Sequence, residues 1–530
     1  MILRQSIKQK LMVAIGIVAA LFPTAAMPAE RITFNIAPFG QFQIKVKDLE
    51  AFIATGSSTA ELDYYLHRLP PQQVAKLPQL LSTPLKLKPL AIAKFSNSTV
   101  GEVTLKNLGK GIRSSTNRNG FYALRGAMIA AAFDDQGLSI INLLHHYPLK
   151  TVHLDLEIIN QYFEQSTQLA KNRKVIERTW FVGHQPQNQA LGDRIERESD
   201  LKIPGQYSWQ KRTLSYKNPH RHQTGLFDLY QPKIKRSVPV IAISHGMASS
   251  RQTFAYLAKH LASHGFAVAV IEHDDMSLAK FDRFLSGTES FPEANNLIDQ
   301  PLDISSVLDR LKSEPYLDLK RVGIVGQSFG GYSALALSGG KLIPEVSAKE
   351  CQTQSYSDIL LDLSSLAKCT FNQLHQSQVQ LRDPRVKAVI AINPMAKIFG
   401  SAGMSEIDIP TMIIGGSNDR IMPPFTEQIE PFSWLKEKEK YLVLIKPATH
   451  FSFLQEGLGI LPVPDDVVGP RPIYAYPALK TLSTAFFEVY LAQQTKYQTY
   501  LHNNTQLNNN AFELSIIRSL DQTELEKFKQ

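Results

Sequence analysis

The pattern of apolar and polar residues divides the chain into two regions with different periodicity. From residue 30 to 155, after a short extended entry, apolar residues recur at helical spacing, with Leu124, Met128, Ala131 and Ala132 on one face. From residue 206 to 500, short apolar runs alternate with amphipathic helical patterns. This alternation is typical of a mostly parallel sheet with helices on both faces. We therefore predict a helical N-terminal domain followed by an α/β domain.

Three further segments depart from both patterns. Residues 156–205 predict a connector that begins as a helix, and residues 501–530 predict a polar C-terminal tail. Residues 340–384 carry an amphipathic helical pattern inside the α/β domain, and an insert at this point is expected to form a cap over the site. A second insert carries Phe281, Phe284 and Phe291, which either line an apolar substrate mouth or pack a loop.

The first 29 residues have the pattern of a secretory signal peptide. Three basic residues precede an apolar run from Leu11 to Phe22, and PTAAMPA follows it. The apolar run is short for a membrane-spanning helix. Cleavage after Ala26 or after Ala29 fits the small-residue pattern, and an uncleaved N-terminal anchor is the alternative. The mature protein is expected to be exported to the periplasm or the extracellular space.

Composition and charge indicate a globular protein without a nucleic-acid surface. Of the 530 residues, 43% are hydrophobic, and the formal net charge is +9. The three basic residues of the signal account for part of this charge, and the remaining basic residues alternate with acidic ones, as in the run from Lys436 to Lys440. We expect no nucleic-acid partner. Weak contact with an anionic membrane surface is compatible with this balance.

The cysteine count predicts one disulfide and no metal site. Cys351 and Cys369 are the two cysteines, and in an exported protein they are expected to pair, which would stabilise the fold by about 3 kcal/mol. They offer too few ligands for a structural metal, and His260 with His264 lacks the glutamate of a zinc-protease helix. We predict no metal and no cofactor.

A G-x-S-x-G motif supplies the candidate nucleophile. Gly326-Gln327-Ser328-Phe329-Gly330 lies between an apolar strand pattern and an Ala/Leu-rich helix pattern. A nucleophilic serine needs this sharp strand-to-helix turn, and the flanking glycines Gly326 and Gly330 leave room where a Cβ would clash. The alternative is an ordinary glycine-rich turn.

Chain order selects the candidate base. In sites built around a G-x-S-x-G serine, the serine comes first in the chain, then the acid, then the histidine. Only His375, His450 and His502 follow Ser328. His450 lies in a loop directly after an apolar strand, whereas His375 lies in a Gln-rich stretch and His502 in an Asn-rich tail.

The acid should also follow a strand. Asp419 comes just after the predicted strand that begins at Thr411 and after its glycines. Asp408 precedes that strand, and Glu427 is predicted to lie in the following helix, so both fit less well.

The loop His245-Gly246-Met247 lies where such a fold places its oxyanion donors. The backbone N–H groups of Met247 and Phe329 would stabilise a developing alkoxide by about 3 kcal/mol each. His245 is either catalytic or a structural histidine of the loop, and its position before the serine favours the structural interpretation.

These segments resemble a known group of enzymes. SHGMASS, LASHGFAVAVIEH, GQSFGGYS, GGSNDRIMPP and ATHFSF are similar to the α/β-hydrolases grouped with dienelactone hydrolases and plasma-type platelet-activating-factor acetylhydrolase. INPMAKIFG, EQIEPFSWL and the N-terminal region resemble a cyanobacterial family of predicted α/β-hydrolases without an assigned substrate. The resemblance implies the α/β-hydrolase fold, with Ser328 as nucleophile, Asp419 as orienting acid, His450 as base, and Met247 and Phe329 as oxyanion donors.

Two positions depart from these relatives. Gln327 stands where lipase-type elbows often have histidine, and EHDD, ending in Asp274 and Asp275, replaces the EHRD of the acetylhydrolases. The first change leaves the mechanism intact, and the second puts a phospholipid substrate in doubt.

We therefore expect an exported serine hydrolase that acts on a small-molecule ester or lipid. A peptidase or amidase would use the same three residues, and a non-catalytic binding protein would use the same fold. The aromatic insert and the predicted cap favour an apolar acyl group over a charged peptide terminus. The oligomeric state is left open by the sequence.

Overall fold

The computed structural model describes residues 28–85, 87–181, 201–219, 221, 223–293, 295–343, 364, 367, 381–455, 465–502 and 512–528. Several predictions lie outside these residues. They are most of the signal peptide, most of the 340–384 insert, the Cys351–Cys369 disulfide and His375. Within the described part of the chain, no helix is both long and apolar enough to cross a membrane.

The chain divides into two compact units, Met1–Gln161 and Tyr162–Gln530. In the first unit, β1 (Arg31–Ile36) and β2 (Gly40–Lys45) form an antiparallel hairpin, and β1 pairs in parallel with β4 (Thr151–Leu154). β3 (Ile112–Ser114) pairs antiparallel with β4, giving the strand order β2-β1-β4-β3.

Helices make up most of the rest of the first unit. They are Val46–Thr55, Ala60–Leu66, Pro71–Val74, Leu77–Ser82, Pro89–Ser96, Thr99–Gly111, Phe121–Phe133 and Ile140–His145. Leu124, Ala131 and Ala132 are buried on one face of their helix, as the periodicity predicts. The predicted helical domain also contains a four-stranded sheet, because β4 comes at the end of the unit and pairs with the N-terminal β1. Pairing between strands that are far apart in the chain cannot be recognised from the residues around either strand.

The second unit contains a nine-stranded sheet in the order β13-β12-β11-β10-β9-β7-β8-β6-β5. The strands are β5 (Trp209–Asn218), β6 (Gln223–Pro232), β7 (Val238–Ser244), β8 (Ala267–Ile271), β9 (Leu317–Gln327), β10 (Val386–Ile392), β11 (Thr411–Gly416), β12 (Lys440–Lys446) and β13 (Glu513–Ile517). β7 to β12 are parallel, while β5, β6 and β13 pair antiparallel at the two edges.

Helices cover both faces of this sheet. Their bounds are Ala255–Ser263, Leu278–Leu285, Asn296–Arg310, Phe329–Leu337, Gly400–Met404, Glu430–Trp434, Asp465–Val468, Tyr476–Tyr490 and Gln522–Glu526. Helices Ala255–Ser263 and Tyr476–Tyr490 pack in one apolar core, and helices Asn296–Arg310 and Phe329–Leu337 pack in the cores of the other face. The chain has the α/β-hydrolase fold, as its alternating pattern predicts.

Helix Leu156–Trp180 occupies most of the predicted connector. From Tyr162 onward it belongs to the second unit, where Ile176 and Trp180 are buried in the core. The segment begins as a helix, as predicted, but from Tyr162 onward it is part of the second unit, because apolar side chains on the helix are covered by that unit's own core.

The prediction of a polar tail after residue 500 was also wrong. Strand β13 pairs antiparallel with β12, and Ile516 and Ile517 are buried. Phe528 is 3% exposed and stacks on Phe425 with ring centroids 4.3 Å apart. The Asn-rich run before β13 suggested a polar tail, although the short edge strand that follows it has apolar residues that pack on the sheet.

Candidate active site

The parallel strands bring the candidate residues to one edge of the sheet. Ser328, Asp419 and His450 each follow the carboxyl end of a strand, β9, β11 and β12 respectively. Carboxyl ends of parallel strands lie at the same edge, where open α/β sheets bind their ligands. The fold thus collects residues that are far apart in sequence.

Ser328 forms a strained turn between β9 and helix Phe329–Leu337. Its φ is 56° and its ψ is −118°, which a residue with a Cβ adopts only where the surroundings enforce it. The Ser328 amide donates to the Ile392 carbonyl at 2.9 Å, and the Tyr332 amide donates to the Ser328 carbonyl at 3.1 Å. These bonds hold the turn in place, and the side chain is 8% exposed.

Three glycines make this turn possible. A Cβ at Gly326 would lie 2.0 Å from the Gly330 carbonyl oxygen, and a Cβ at Gly330 would lie 2.2 Å from the Ser244 carbonyl oxygen. A Cβ at Gly246 would lie 2.8 Å from the Ser328 Cβ. The backbone of the 245–247 loop therefore packs directly against the serine.

His450 and Asp419 are paired in the buried part of the site. Nδ1 of His450 lies 2.7 Å from Oδ2 of Asp419, and the two residues are 7% and 4% exposed. The other carboxylate oxygen, Oδ1, accepts the backbone N–H groups of Ile421 and Met422, each at 2.8 Å. Because the carboxylate accepts from Nδ1, Nε2 of the imidazole is the nitrogen available to a reacting proton.

Nε2 of His450 faces the turn that contains Gln327 and Ser328. The side-chain nitrogen of Gln327, next to Ser328, lies 3.3 Å from this Nε2 and 3.4 Å from the His450 carbonyl oxygen. Among the described residues, no hydrogen bond joins Ser328 to His450. Such bonds often form only when a substrate is bound.

Asn393 is a residue of this site that sequence analysis missed. It follows β10, and its Nδ2 lies 3.3 Å from the Thr449 carbonyl and 3.5 Å from the His450 carbonyl. Its Oδ1 accepts the Gly416 amide at 2.9 Å. Asn393 thus joins the loop that carries Asp419 to the loop that carries His450. Its position directly after an apolar strand is the sequence feature that could have identified Asn393 as a candidate site residue.

The backbone N–H groups of Met247 and Phe329 are suited to donating hydrogen bonds to an anion. Phe329 is the first residue of its helix, so its N–H has no intrahelical acceptor. Within the described part of the chain, neither amide donates to a backbone carbonyl. Met247 is 38% exposed and follows Gly246, where an added Cβ would lie 2.8 Å from the Ser328 Cβ.

The weaker candidates lie outside this arrangement. Asp408 is ion-paired with Arg382 at 2.6 Å, and its side chain is 61% exposed. Glu427 is buried and accepts from Ser364 Oγ at 2.8 Å and from the Lys397 amide at 3.1 Å. His502 is exposed and follows a helical turn near the end of the second unit.

The other histidines that the structure describes form no ligand cluster. In the described ranges, no group of three or more His, Cys, Asp or Glu side chains could hold a metal ion. The rings of His260 and His264 lie 4.7 Å apart, and burial lowers the pKa of His260 to about 3.

The aromatic insert forms a compact cluster. The ring of Phe284 lies 5.8 Å from that of Phe281 and 5.3 Å from that of Phe291, and Phe284 itself is buried. The Leu278 amide at the start of this helix donates to the Ser249 carbonyl at 2.6 Å. The cluster is therefore anchored two residues from Met247.

Comparisons with known proteins agree with the fold. Residues 28–155 match a family described as "Alpha/beta hydrolase of unknown function (DUF1400)", and residues 227–290 match "Platelet-activating factor acetylhydrolase, isoform II". The first match covers the N-terminal unit, and the second covers β6 to the aromatic insert of the second unit.

Distant similarity extends to individual curated proteins. A platelet-activating factor acetylhydrolase of Cavia porcellus is 25% identical over 266 residues, covering 42% of this chain and 49% of that protein. Cutinase est1 of Thermobifida alba is 22% identical over 236 residues (42% and 57%), and cutinase 1 of Thermobifida cellulosilytica is 24% identical over 227 residues (42% and 64%). The chain thus spans about half to less than two-thirds of the length of these relatives.

Proposed function

We propose that this chain is an exported serine hydrolase that cleaves carboxylic esters, with Ser328 as nucleophile, His450 as general base and Asp419 as orienting acid. The observation that carries the proposal is the φ of 56° at Ser328, next in the chain to Gln327, whose side-chain nitrogen lies 3.3 Å from Nε2 of the imidazole that pairs with Asp419 at 2.7 Å. Backbone strain at a non-glycine residue persists only where the surrounding structure enforces it, and such residues cluster at active sites. An ordinary glycine-rich turn has no need of it.

The first half-reaction forms an acyl-enzyme. Nε2 of His450 takes the hydroxyl proton of Ser328 as Oγ attacks the ester carbonyl carbon. The carbonyl π electrons move to oxygen, and the tetrahedral intermediate collapses with cleavage of the C–O bond to the alcohol. The imidazolium returns the proton to the leaving alkoxide, and Asp419 stabilises the positive ring throughout.

The second half-reaction repeats this sequence with water. His450 takes a proton from water as the water oxygen attacks the acyl carbon. Collapse of the second tetrahedral intermediate breaks the bond to Ser328 Oγ and returns the proton to it. The products are a carboxylic acid and the regenerated serine.

The N–H groups of Met247 and Phe329 stabilise the oxyanion in both intermediates. Met247 follows β7, the strand beside β9 in the sheet, and Phe329 directly follows Ser328 in the chain, so the two donors come from different segments. Loss of a single donor of this kind costs about a hundredfold to a thousandfold in kcat.

The substrate class is an ester with an apolar acyl group. The named activities of the relatives, an acetylhydrolase and cutinases, support ester cleavage. The Phe281–Phe284–Phe291 cluster, anchored close to Met247, supports an apolar environment at the mouth of the site.

Export accords with the N-terminal pattern of basic residues, apolar run and small residues. An oxidising compartment would pair Cys351 with Cys369. Mass spectrometry of a non-reduced digest of protein from its native compartment should yield the linked peptides. Two free thiols would contradict both the bond and the location.

A fluorophosphonate probe tests the central proposal. The purified chain should be labelled at Ser328, and Ser328→Ala should abolish labelling while its melting temperature stays near that of the wild type. Ser333→Ala, in the same helix, is the matched control and should label normally. An unlabelled wild type would contradict the proposal.

The substrate class is tested separately. p-Nitrophenyl esters of increasing acyl length should be hydrolysed faster than aminoacyl anilides under the same conditions. Faster turnover of the anilides would identify an amidase, and labelling without turnover of either series would exclude the proposed substrate class.

A further inference from the structure

A cluster of buried polar side chains lies next to the 245–247 loop, which carries the proposed oxyanion donor Met247. Its members Ser244, His245, His273, Gln300 and Asp303 are all at most 1% exposed. They come from the end of β7, the segment after β8 and helix Asn296–Arg310. None of them touches the proposed reacting atoms, so their hydrogen bonds must be explained in another way.

We infer that His245 and the His273–Asp303 pair are positioning residues that fix the Gly246–Met247 peptide, the donor of one oxyanion N–H. This inference rests on the function proposed above. It assigns a task to the histidine whose position before the serine in the chain favoured a structural over a catalytic interpretation.

The tautomer of His245 follows from its partners. The His273 backbone N–H lies 3.1 Å from Nε2 of His245, and a backbone N–H can only donate, so Nε2 accepts. Burial and the neighbouring His273 lower the pKa of His245 to about 3, so the ring is neutral at neutral pH. The ring hydrogen is therefore on Nδ1, which donates to the Gly246 carbonyl at 2.8 Å.

This hydrogen bond sets the direction of the Met247 N–H. The Gly246 carbonyl and the Met247 N–H belong to one planar trans peptide, so they point in opposite directions. Holding the carbonyl oxygen on the His245 side therefore turns the N–H to the other side. The adjoining His245 carbonyl is also held, because it accepts from Nε2 of Gln300 at 2.8 Å.

His273 is in turn fixed at both ring nitrogens. Nδ1 lies 3.0 Å from Oδ2 of Asp303, and Nε2 lies 2.9 Å from Oγ of Ser244. The other oxygen of Asp303 accepts from Nδ2 of Asn218 at 2.7 Å. Asp303 thus anchors His273, whose backbone N–H keeps His245 in the required tautomer.

The order Ser244–His273–Asp303 resembles a second catalytic triad. It cannot act as one in this fold, because Ser244 has no exposed surface and its Oγ also contacts Nε2 of Gln300 at 3.1 Å. A substrate carbonyl could not reach this oxygen. The cluster is therefore suited to positioning the loop rather than to attack.

A pair of substitutions at His245 tests the inference. His245→Asn places an amide nitrogen near the position of Nδ1 and can still donate to the Gly246 carbonyl, whereas His245→Ala cannot. We expect His245→Ala to lower kcat by about a hundredfold at unchanged KM, the effect of losing one oxyanion donor. His245→Asn should recover most of that loss.

Asp303→Asn tests the outer part of the cluster. We expect a fall of about tenfold in kcat, since a misplaced donor costs less than an absent one. The matched control is Asp309→Asn on the same helix, where the side chain is 59% exposed, and it should leave kcat unchanged.

Transition-state affinity separates positioning from a general structural effect. Affinity for a trifluoromethyl ketone inhibitor, whose adduct carries an oxyanion, should fall by the same factor as kcat/KM in each variant, while affinity for the product acid should not change. Equal losses of product binding and a marked fall in melting temperature, with no recovery in His245→Asn, would overturn the inference.

The remaining outcomes distinguish this inference from the proposed function. If the wild type is labelled at Ser328 but His245→Ala keeps full kcat, the inference fails and the function stands. If the wild type is neither labelled nor active, the function fails, and ¹⁵N NMR of the histidine-labelled chain still tests the loop geometry. A hydrogen on Nε2 instead of Nδ1 of His245 would then overturn the inferred positioning of the Gly246–Met247 peptide.

Discussion

The side chain of Asn393 accepts the backbone N–H of Gly416 at 2.9 Å through Oδ1. Through Nδ2 the same side chain reaches the carbonyls of Thr449 and His450 on the next loop. One amide therefore sets the spacing between the loops of Asp419 and His450. Its backbone is also in the left-handed region, with φ of 42°.

Asn393→Ala should lower both activity and stability. Loss of the amide leaves the buried Gly416 N–H without its partner, which costs about 1–3 kcal/mol, and alanine tolerates the positive φ less well. Asn393→Gly removes the amide without the backbone strain. We expect both variants to lose about tenfold in kcat, with a lower melting temperature for the alanine. Wild-type kcat in the glycine variant would show that the bridge does not position the site.

Asp419→Asn should impair ester hydrolysis less than His450→Ala. In the proposed mechanism the carboxylate orients the imidazole and stabilises its charge, but it does not itself transfer the proton. Steady-state kinetics with one p-nitrophenyl ester and equal folding by circular dichroism would check this order. The reverse order would contradict the assigned roles. Asp408→Asn, remote from His450, is the control.

Gly246→Ala should block the site without unfolding the protein. The added Cβ would lie 2.8 Å from the Ser328 Cβ and 2.9 Å from Oε1 of Gln327, so the loop or the serine must move. We expect at least a tenfold loss of kcat, since displacement by about 1 Å costs that much or more.

Gly126→Ala is the control for this substitution. Its Cβ would meet nothing within 4 Å in helix Phe121–Phe133, so stability should rise by about 1 kcal/mol with activity unchanged. Equal activity of the two variants would contradict the close packing of the loop on Ser328.

Glu488 should make the protein less stable as the pH rises. Burial raises the pKa of this carboxyl to about 7 from 4.5, so the folded protein binds the proton more tightly than the unfolded chain. This contribution is fully present below pH 4.5 and is lost as the pH rises through about 7. Glu488→Gln should therefore raise the melting temperature relative to the wild type at pH 8.5 and less so at pH 5.

Thermal melts at these two pH values measure the effect. Glu157→Gln, an exposed carboxyl at the start of helix Leu156–Trp180, is the control and should leave the pH dependence unchanged. An identical pH dependence in Glu488→Gln and the wild type would contradict the prediction.

If the chain is exported as proposed, the predicted signal peptide should be cleaved after Ala26 rather than after Ala29. Ala29 is 3% exposed, and its amide donates to the Leu144 carbonyl at 3.0 Å, so its removal would cost the first unit a buried contact. N-terminal sequencing of exported protein should therefore begin at Met27. A mature chain beginning at Glu30 would contradict this choice.

The sequence alone determined the features that depend on neighbouring residues. A strand pattern, a G-x-S-x-G motif and a helix pattern lie within about 17 residues around Ser328, so the elbow could be predicted from local sterics. The α/β class followed from the alternation of apolar runs and amphipathic helices. Asp419 and His450 were selected because each follows a strand, a property that is also visible locally.

Only the tertiary structure decided which distant residues meet. It brought His450 to 2.7 Å from Asp419, and it placed Asn393 across two loops. It also paired β4 with β1 and β13 with β12, although the two strands of each pair are far apart in the sequence. Short strands and buried polar side chains carry little local signal, because their stability comes from neighbours brought near by folding. His245 illustrates this, since its tautomer depends on a backbone amide from a different strand end.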